Sequence, residues 1–479
     1  MTSDTEGEKR PARKKGVPLM PGGGACGARG APGRGRALRA AASAGFVPGG
    51  LPGGGPPLDY KPRMGQKELV ALGGATAAAA ATAAALEASP AISLVVTLAA
   101  GGLTREMLLE RLHSERYVSP AELATPGSGF GEFGGLNGVH FRVHRAVTAG
   151  PGEAVWACHF FHGFGASLFS WLGILQKAAE GCTGVCSAHD APGFGLTRRP
   201  AKVEAFSPTF NANVGAAVLE AAVAEETKTR AEGNVRRPSP RRALVGHSLG
   251  ALTAMIAASS QSAGQYDAMI LVAPAVFAPS LSRPSAFHRA YKFIQERVPD
   301  FIPRICCALA RKFLSALSLA FQGFILFTPA RFIILVFLRK LVRARNFWMT
   351  ALRACYHDDS RVTQKVVDGY RAAKDTAGWD IGLLKFTVAM FRAGLSGPSP
   401  SKALEGLAHV ARTQKLPILI VHGAQDRVVP PSNSARLAKA LPGCTLSVWP
   451  DTGHLPHEEH PERFADEISQ FLREVQRRA

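Results

Sequence analysis

No zinc-finger spacing, no aromatic signature of an RNA-recognition module and no basic zipper occurs in this 479-residue sequence. Their absence bears on its charge. Lys and Arg number 56 against 36 Asp and Glu, a formal net charge of +20 that would suit nucleic acid or an anionic membrane surface. Without a nucleic-acid motif beside that charge, no nucleic-acid partner is expected. Paired cysteine pairs are missing too. Cys26, Cys158, Cys182, Cys186, Cys306, Cys307, Cys355 and Cys444 are scattered, and Cys182 and Cys186 lack the second pair of a closed zinc site. They read as buried free thiols in a reducing, intracellular compartment.

Residues 1–66 lack apolar periodicity and are rich in Gly, Pro, Ala and Arg. Such a segment cannot bury enough apolar area to offset its ordering entropy, so a disordered basic tail is expected. The Arg/Ala/Ser stretch at 34–46 has the composition of a transit peptide for an organelle such as a plastid, while Asp4, Glu6 and Glu8 oppose one. Residues 67–134 read as an alanine-rich helical segment. Within it 69–86 is nearly uncharged and 91–103 is more apolar, with Glu87 and Pro90 between. Alanine contributes little transfer energy, and the second run is shorter than the roughly 20 residues of a span. A membrane contact and a buried or surface helix both stay open there.

From about position 135 short apolar runs alternate with helical patterns. GVHFRVHRAV reads as opening antiparallel strands. Residues 155–161, 185–188, 243–245 and 268–272 follow as strands, and 418–421 and 445–448 complete the series. Strands separated by helices predict an α/β domain, a mostly parallel sheet covered on both faces. The core then occupies 135–276 and 411–479, with 277–410 a helical insertion over one end of the sheet.

Three strings carry chemistry. Gly246-His247-Ser248-Leu249-Gly250 follows the strand-like RALV and precedes the helix-like ALTAMI. A turn this tight exposes the serine oxygen at a helix N-terminus, where backbone amides favour negative charge, and glycines flank it where side chains would collide. Asp426 follows the apolar strand PILIV in the loop HGAQDRVVP, whereas Ala273-Pro274-Ala275-Val276-Phe277, one strand earlier, carries no carboxylate. His454 ends PDTGH just past the last strand. Imidazole takes a serine proton near neutral pH, and a carboxylate fixes its tautomer. Ser248, Asp426 and His454 are therefore the expected nucleophile, acid and base. His457 and His460 fall toward a helix beginning at Pro461 and read as surface or capping residues. Asp190 in DAPGFGLT reads as part of a structural turn without chemistry.

Together with His162-Gly163-Phe164-Gly165-Ala166-Ser167, these motifs resemble the α/β-hydrolase superfamily, in the order Ser, Asp, His that its fold uses. HGFGASLFSW, DAPGFGLTRRP and the segment containing Tyr356-His357-Asp358, Gly369-Tyr370 and Gly378-Trp379-Asp380 look like a subgroup frequent in plants and algae. The resemblance covers about 135–475. It implies a helical lid at 277–410 and an oxyanion hole formed by the backbone amides of Phe164 and Leu249, with His162 bracing its loop. Ser248 stands where relatives that open epoxides or remove halides carry aspartate. An H-x4-D acyltransferase motif fails at Glu459 and Glu462.

The insertion is unusual in its charge: 283–345 holds twelve Lys or Arg against Glu296 and Asp300. Within it 313–330, FLSALSLAFQGFILFTPA, is uncharged. A span here would carry the chain across a bilayer between two strands of one sheet, so an interfacial helix pair with basic flanks fits better. The sequence reading is a membrane-associated hydrolase that cleaves an ester or related acyl bond of a lipophilic small molecule through an acyl-serine, with no cofactor or metal implied. A small-ligand receptor that retains the triad is the rival.

Overall fold

The structure is a computed structural model that describes residues 75–79, parts of 100–111, and 117–146, 155–182, 184–232, 239–260, 265–276, 330–396 and 400–478. The tail 1–66, most of the alanine-rich segment, Cys26, Cys306, Cys307 and nearly all of the apolar run 313–330 lie outside these residues.

Eight strands form one sheet: β1 (Ser128–Phe133), β2 (Leu136–Arg145), β3 (Trp156–Phe161), β4 (Val185–His189), β5 (Arg241–His247), β6 (Ala268–Val272), β7 (Ile418–Gly423) and β8 (Cys444–Trp449). They lie in the order β1-β2-β4-β3-β5-β6-β7-β8. β1 and β2 pair antiparallel, β2 meets β4 antiparallel, and every neighbouring pair from β4 to β8 is parallel. β3, β4, β6 and β7 are buried at every position, so they run mostly apolar instead of alternating, with buried polar residues such as His159, Ser187 and His422 among them.

β1 is the strand the sequence does not announce. It lies ahead of position 135, in SGFGEF, where Phe130 and Phe133 alone are large and apolar and their spacing gives no alternation. Pairing supplies what composition does not: its register runs from Ser128 opposite Arg142 to Phe133 opposite Leu136.

Helices cover both faces. Pro208–Glu232, Leu249–Ser260, Pro400–Thr413 and Pro431–Ala440 line one side, around Val218, Met255, Leu407 and Leu437. Leu172–Gly181 and Pro461–Arg478 line the other, around Trp171, Leu175, Phe464 and Leu472. Pro400–Thr413 packs on Leu249–Ser260 through small residues, and a Cβ added to Gly406 would come within 2.9 Å of Ser259. That helix belongs to the sheet's cover, so the insertion ends before position 400, earlier than the sequence suggested.

Among the described residues, four α-helices lie between β6 and Pro400: Ala330–Arg343, Arg345–Cys355, Gln364–Arg371 and Trp379–Ser396. Phe386 and Ala389 of the last pack against Phe194 and Phe206. Leu352, Tyr356, Val362 and Val367 pack against Leu455, the residue after His454. Two aromatic-rich seams therefore hold the insertion over the C-terminal ends of the strands. A fully buried side chain of this size contributes about 1.5–3 kcal/mol. Among the described residues no helix is long and apolar enough to cross a membrane.

Candidate active site

Ser248 occupies the one residue between β5 and the helix Leu249–Ser260, with φ +53°. A non-glycine residue rarely adopts that conformation, and here both neighbours enforce it. The Ser248 amide donates to Val272 O at 2.9 Å, and its carbonyl accepts the Ala275 amide at 3.2 Å. A Cβ on Gly246 would lie 2.7 Å from Ala251 Cα, and one on Gly250 would lie 2.6 Å from His162 O. These glycines let strand, turn and helix close on each other.

The three predicted residues converge. Ser248 Oγ donates to His454 Nε2 at 3.1 Å, and His454 Nδ1 donates to Asp426 Oδ2 at 2.7 Å. All three are buried, at 8 %, 5 % and 8 % exposure for Ser248, His454 and Asp426, so the chain works in a medium that screens it little. The loops bearing Asp426 and His454 are tied together as well. Ala424 N donates to Trp449 O at 2.8 Å, and Gln425 N donates to Thr452 O at 3.0 Å.

Asp426 is more fully satisfied than its sequence neighbourhood suggested. Its Oδ1 accepts the amides of Val428 at 2.7 Å and Val429 at 2.8 Å. Buried His422 stands 3.0 Å from Oδ2 through Nε2, with Nδ1 accepting from Ser434 Oγ at 2.6 Å. Burial pushes the Asp426 carboxyl up. The hydrogen bonds from His422, His454 and the Val429 amide outweigh that and hold it well below the usual carboxylate range. The Val421-His422 pairing one turn before the acid was the available signal for His422.

The loop after β3 runs directly over the serine. A Cβ on Gly163 would sit 3.1 Å from Ser248 Cβ, so this loop lies against the turn that carries the serine. His162 braces this loop as expected: Nδ1 donates to Gly163 O at 2.8 Å, and Nε2 accepts the Ala191 amide at 2.9 Å. Desolvation lowers its pKa and keeps it neutral for both roles. Asp190 organises the floor. It accepts the amides of Leu168 and Leu196, each at 2.6 Å, and His140 Nδ1 at 2.7 Å. Burial pushes Asp190 up, but His140 and the Leu168 amide leave it pulled down to about 2.

His457 departs from the sequence reading. It is fully buried, stacks on Trp171 with centroids 4.2 Å apart, and donates through Nε2 to Ser170 Oγ at 2.9 Å. Desolvation takes it down to about 3, so it stays neutral. Its place just ahead of the helix that begins at Pro461 suggested the surface, whereas Trp171, far upstream in the chain, buries it. His460 is partly exposed, with Nε2 donating to Asp451 O at 3.2 Å. His247, the variable residue of the serine motif, donates through Nε2 to His454 O at 2.9 Å and so holds the backbone of His454.

A pocket opens beside Ser248, lined by Gly163, Phe194, Phe206, Leu249, Thr253 and Phe386 among others. Phe194, Phe206 and Phe386 are its large apolar walls, with Asn211 and Thr253 among its polar ones, and Phe386 comes from the insertion. Away from the site, Cys158, Cys182 and Cys186 bring their sulfurs within 4.8 Å of one another and are all buried. Cys158 joins the other two because it pairs with Cys186 across β3 and β4. Hydrogen bonds from the thiols of Cys158 and Cys186 pull Cys182 down. This is a set of soft donors that could hold a thiophilic ion, and nothing at Ser248 draws on it.

The Alpha/beta hydrolase family matches this sequence over residues 160–467, most of the described core. The chain belongs to the alpha/beta hydrolase family. Among curated relatives, 2-hydroxymuconate semialdehyde hydrolase of Pseudomonas putida is 41 % identical over 57 residues, 12 % of this chain and 20 % of that protein. An uncharacterised hydrolase of Bacillus subtilis (strain 168) is 28 % identical over 118 residues, 24 % of this chain and 38 % of that protein. The chain thus spans well under half the length of these curated relatives. Two solved structures are similar: a meta-cleavage product hydrolase from Pseudomonas fluorescens and a thermophilic esterase from Thermogutta terrifontis. The first is 18 % identical with TM-score 0.45, covering 72 % of this chain and 97 % of its own. The second is 18 % identical with TM-score 0.42, covering 71 % and 95 %.

Proposed function

We propose that the protein hydrolyses an ester or related acyl bond of a lipophilic substrate, with Ser248 as nucleophile, His454 as base and Asp426 as the orienting acid. The observation that carries this reading is the continuous hydrogen-bonded chain from Ser248 Oγ through His454 to Asp426. His454 Nε2 takes the hydroxyl proton as Ser248 Oγ bonds to the acyl carbon. The carbonyl electrons move onto oxygen, where the amides of Phe164 and Leu249 are the donors. Collapse breaks the bond to the alcohol, which leaves with the proton from His454. A water, deprotonated by His454 in turn, attacks the acyl-serine, and Ser248 leaves with that proton beside the released acid.

The aromatic pocket supports an apolar acyl group, since a hydrocarbon chain loses water against Phe194, Phe206 and Phe386. The insertion acts as a lid, and its helix Ala330–Arg343 as a contact for an anionic membrane. Ile333 and Phe337, one helical turn apart, are 66 % and 67 % exposed, with Lys340 exposed one turn further on. The basic residues of this helix do not all serve that surface, as the sequence reading supposed. Arg339 Nη2 pairs with Asp380 Oδ2 at 2.6 Å, and Arg343 lies over the Trp379 ring at 5.9 Å.

The test is a fluorophosphonate probe followed by turnover of p-nitrophenyl esters of graded chain length. Wild type labels at Ser248 and turns over at least one ester. Labelling without turnover of any ester would overturn the hydrolase reading in favour of a ligand sensor.

A further inference from the structure

Glu458 lies four residues past His454, in the short helix Pro456–Glu459, and its side chain is 10 % exposed. Three hydroxyls from three separate segments converge on it. Tyr356 OH donates to Oε2 at 2.6 Å and Tyr370 OH donates to Oε1 at 2.5 Å. Ser170 Oγ also donates to Oε1. Tyr356 caps the helix Arg345–Cys355, and Tyr370 lies in Gln364–Arg371, so both belong to the insertion. Ser170 lies in the turn Leu168–Trp171, directly after the loop over the serine.

The neighbouring backbone is stitched in the same direction. His454 N donates to Cys355 O at 2.6 Å. Glu459 Oε1 accepts Gly453 N at 2.7 Å, while its Oε2 accepts His357 N at 2.8 Å. Gly453 has no room for a side chain, because an added Cβ would lie 2.7 Å from His357 N. The insertion and the loop of the base therefore share one hydrogen-bonded seam.

Keeping two adjacent carboxylates here is costly. Burial raises the Glu458 carboxyl above its ordinary range, the hydroxyls of Ser170, Tyr356 and Tyr370 draw it back, and Glu459 adds to the rise. His457 Nε2 stands 3.8 Å from Oε1, and burial keeps that ring neutral. A solvated surface glutamate would need none of these partners. A bare packing role would be filled at lower cost by an apolar residue. What the carboxylate adds is direction: it fixes two lid hydroxyls and the Ser170 turn relative to His454 at once.

We propose that Glu458 is a positioning residue that makes closure of the lid and placement of His454 a single event, with Tyr356 and Tyr370 as the lid's two contacts to it. This rests on the triad assigned above. With both tyrosines donating, the loop of the base is held where His454 Nε2 reaches Ser248; with the lid displaced, that loop loses its outer support.

The experiment uses the full chain with Tyr356→Phe, Tyr370→Phe and the double variant, each removing one oxygen or two and little volume. Turnover of the best p-nitrophenyl ester and the second-order rate of fluorophosphonate labelling are measured well below each variant's unfolding temperature. In the double variant kcat and the labelling rate fall together by roughly 10- to 100-fold, since a misplacement near 1 Å costs about that much. KM stays within about twofold, because the aromatic pocket is untouched. Wild-type kcat and labelling in the double variant would overturn the proposal, even if its melting temperature dropped. So would a loss that tracks the unfolded fraction. If wild type neither labels nor turns over any ester, the triad reading itself fails; if wild type is active and Ser248→Ala is dead, only the positioning role is at stake.

Discussion

Asp426 Oδ2 is shared by two imidazoles, His454 Nδ1 at 2.7 Å and His422 Nε2 at 3.0 Å. Asp426 is thus held from the side of Ser248 and from its own strand. The consequence is readable in acid stability. A carboxyl depressed in the folded state contributes stability that is complete above its ordinary pKa and is lost as pH falls through the depressed value. Replacing His422 by Phe removes one depressing partner, so the midpoint of acid unfolding moves to higher pH. Circular dichroism against pH checks this; an unmoved midpoint would show that His422 does not support the acid.

Asp426→Asn keeps the shape of the loop but offers His454 a donor where it needs an acceptor. Turnover drops by up to about ten-thousandfold, with the fold retained. A nearly unchanged rate would move the search for the acid to Asp451.

Ser248 carries backbone strain as well as the hydroxyl. At φ +53° a side chain costs about 1 kcal/mol or more relative to glycine. Ser248→Ala is therefore inactive, unlabelled and about as stable as wild type, whereas Ser248→Gly is inactive and more stable by about 1 kcal/mol. Thermal denaturation of the two variants side by side checks the strain independently of the chemistry.

The exposed pair on the helix Ala330–Arg343 predicts a membrane phenotype. Ile333→Asp combined with Phe337→Asp lowers flotation with anionic liposomes, while esterase activity on soluble short-chain substrates stays near wild type. Raising salt weakens the wild-type contact only partly, because screening leaves the apolar share intact. Equal flotation of variant and wild type would assign any membrane contact to another segment.

Much of the site was legible in sequence because each triad residue ends a strand or follows one by a few positions. Ser248, Asp426 and His454 each announce themselves by a local string of apolar residues and a glycine turn. β1 was not legible, since Gly129 and Gly131 leave no apolar alternation and only pairing with β2 defines it. His457 was misplaced for the opposite reason. Its local phase is helical, but Trp171 determines its burial. The joint at Glu458 is beyond any local reading: its partners Tyr356 and Ser170 are 102 and 288 residues away along the chain. Arg339 looked like one more basic residue of a cationic run until folding brought Asp380 against it.

Phe386 belongs to the helix Trp379–Ser396 yet forms a wall of the pocket beside Leu249. Displacing that helix therefore removes one wall of the cavity and changes its shape. An apolar ligand binds a shape that exists in one conformer, so its measured affinity is the intrinsic affinity scaled by the fraction of molecules in that conformer. Ligands compared under conditions that shift this fraction will appear to differ in fit when they differ only in how often they find a complete cavity.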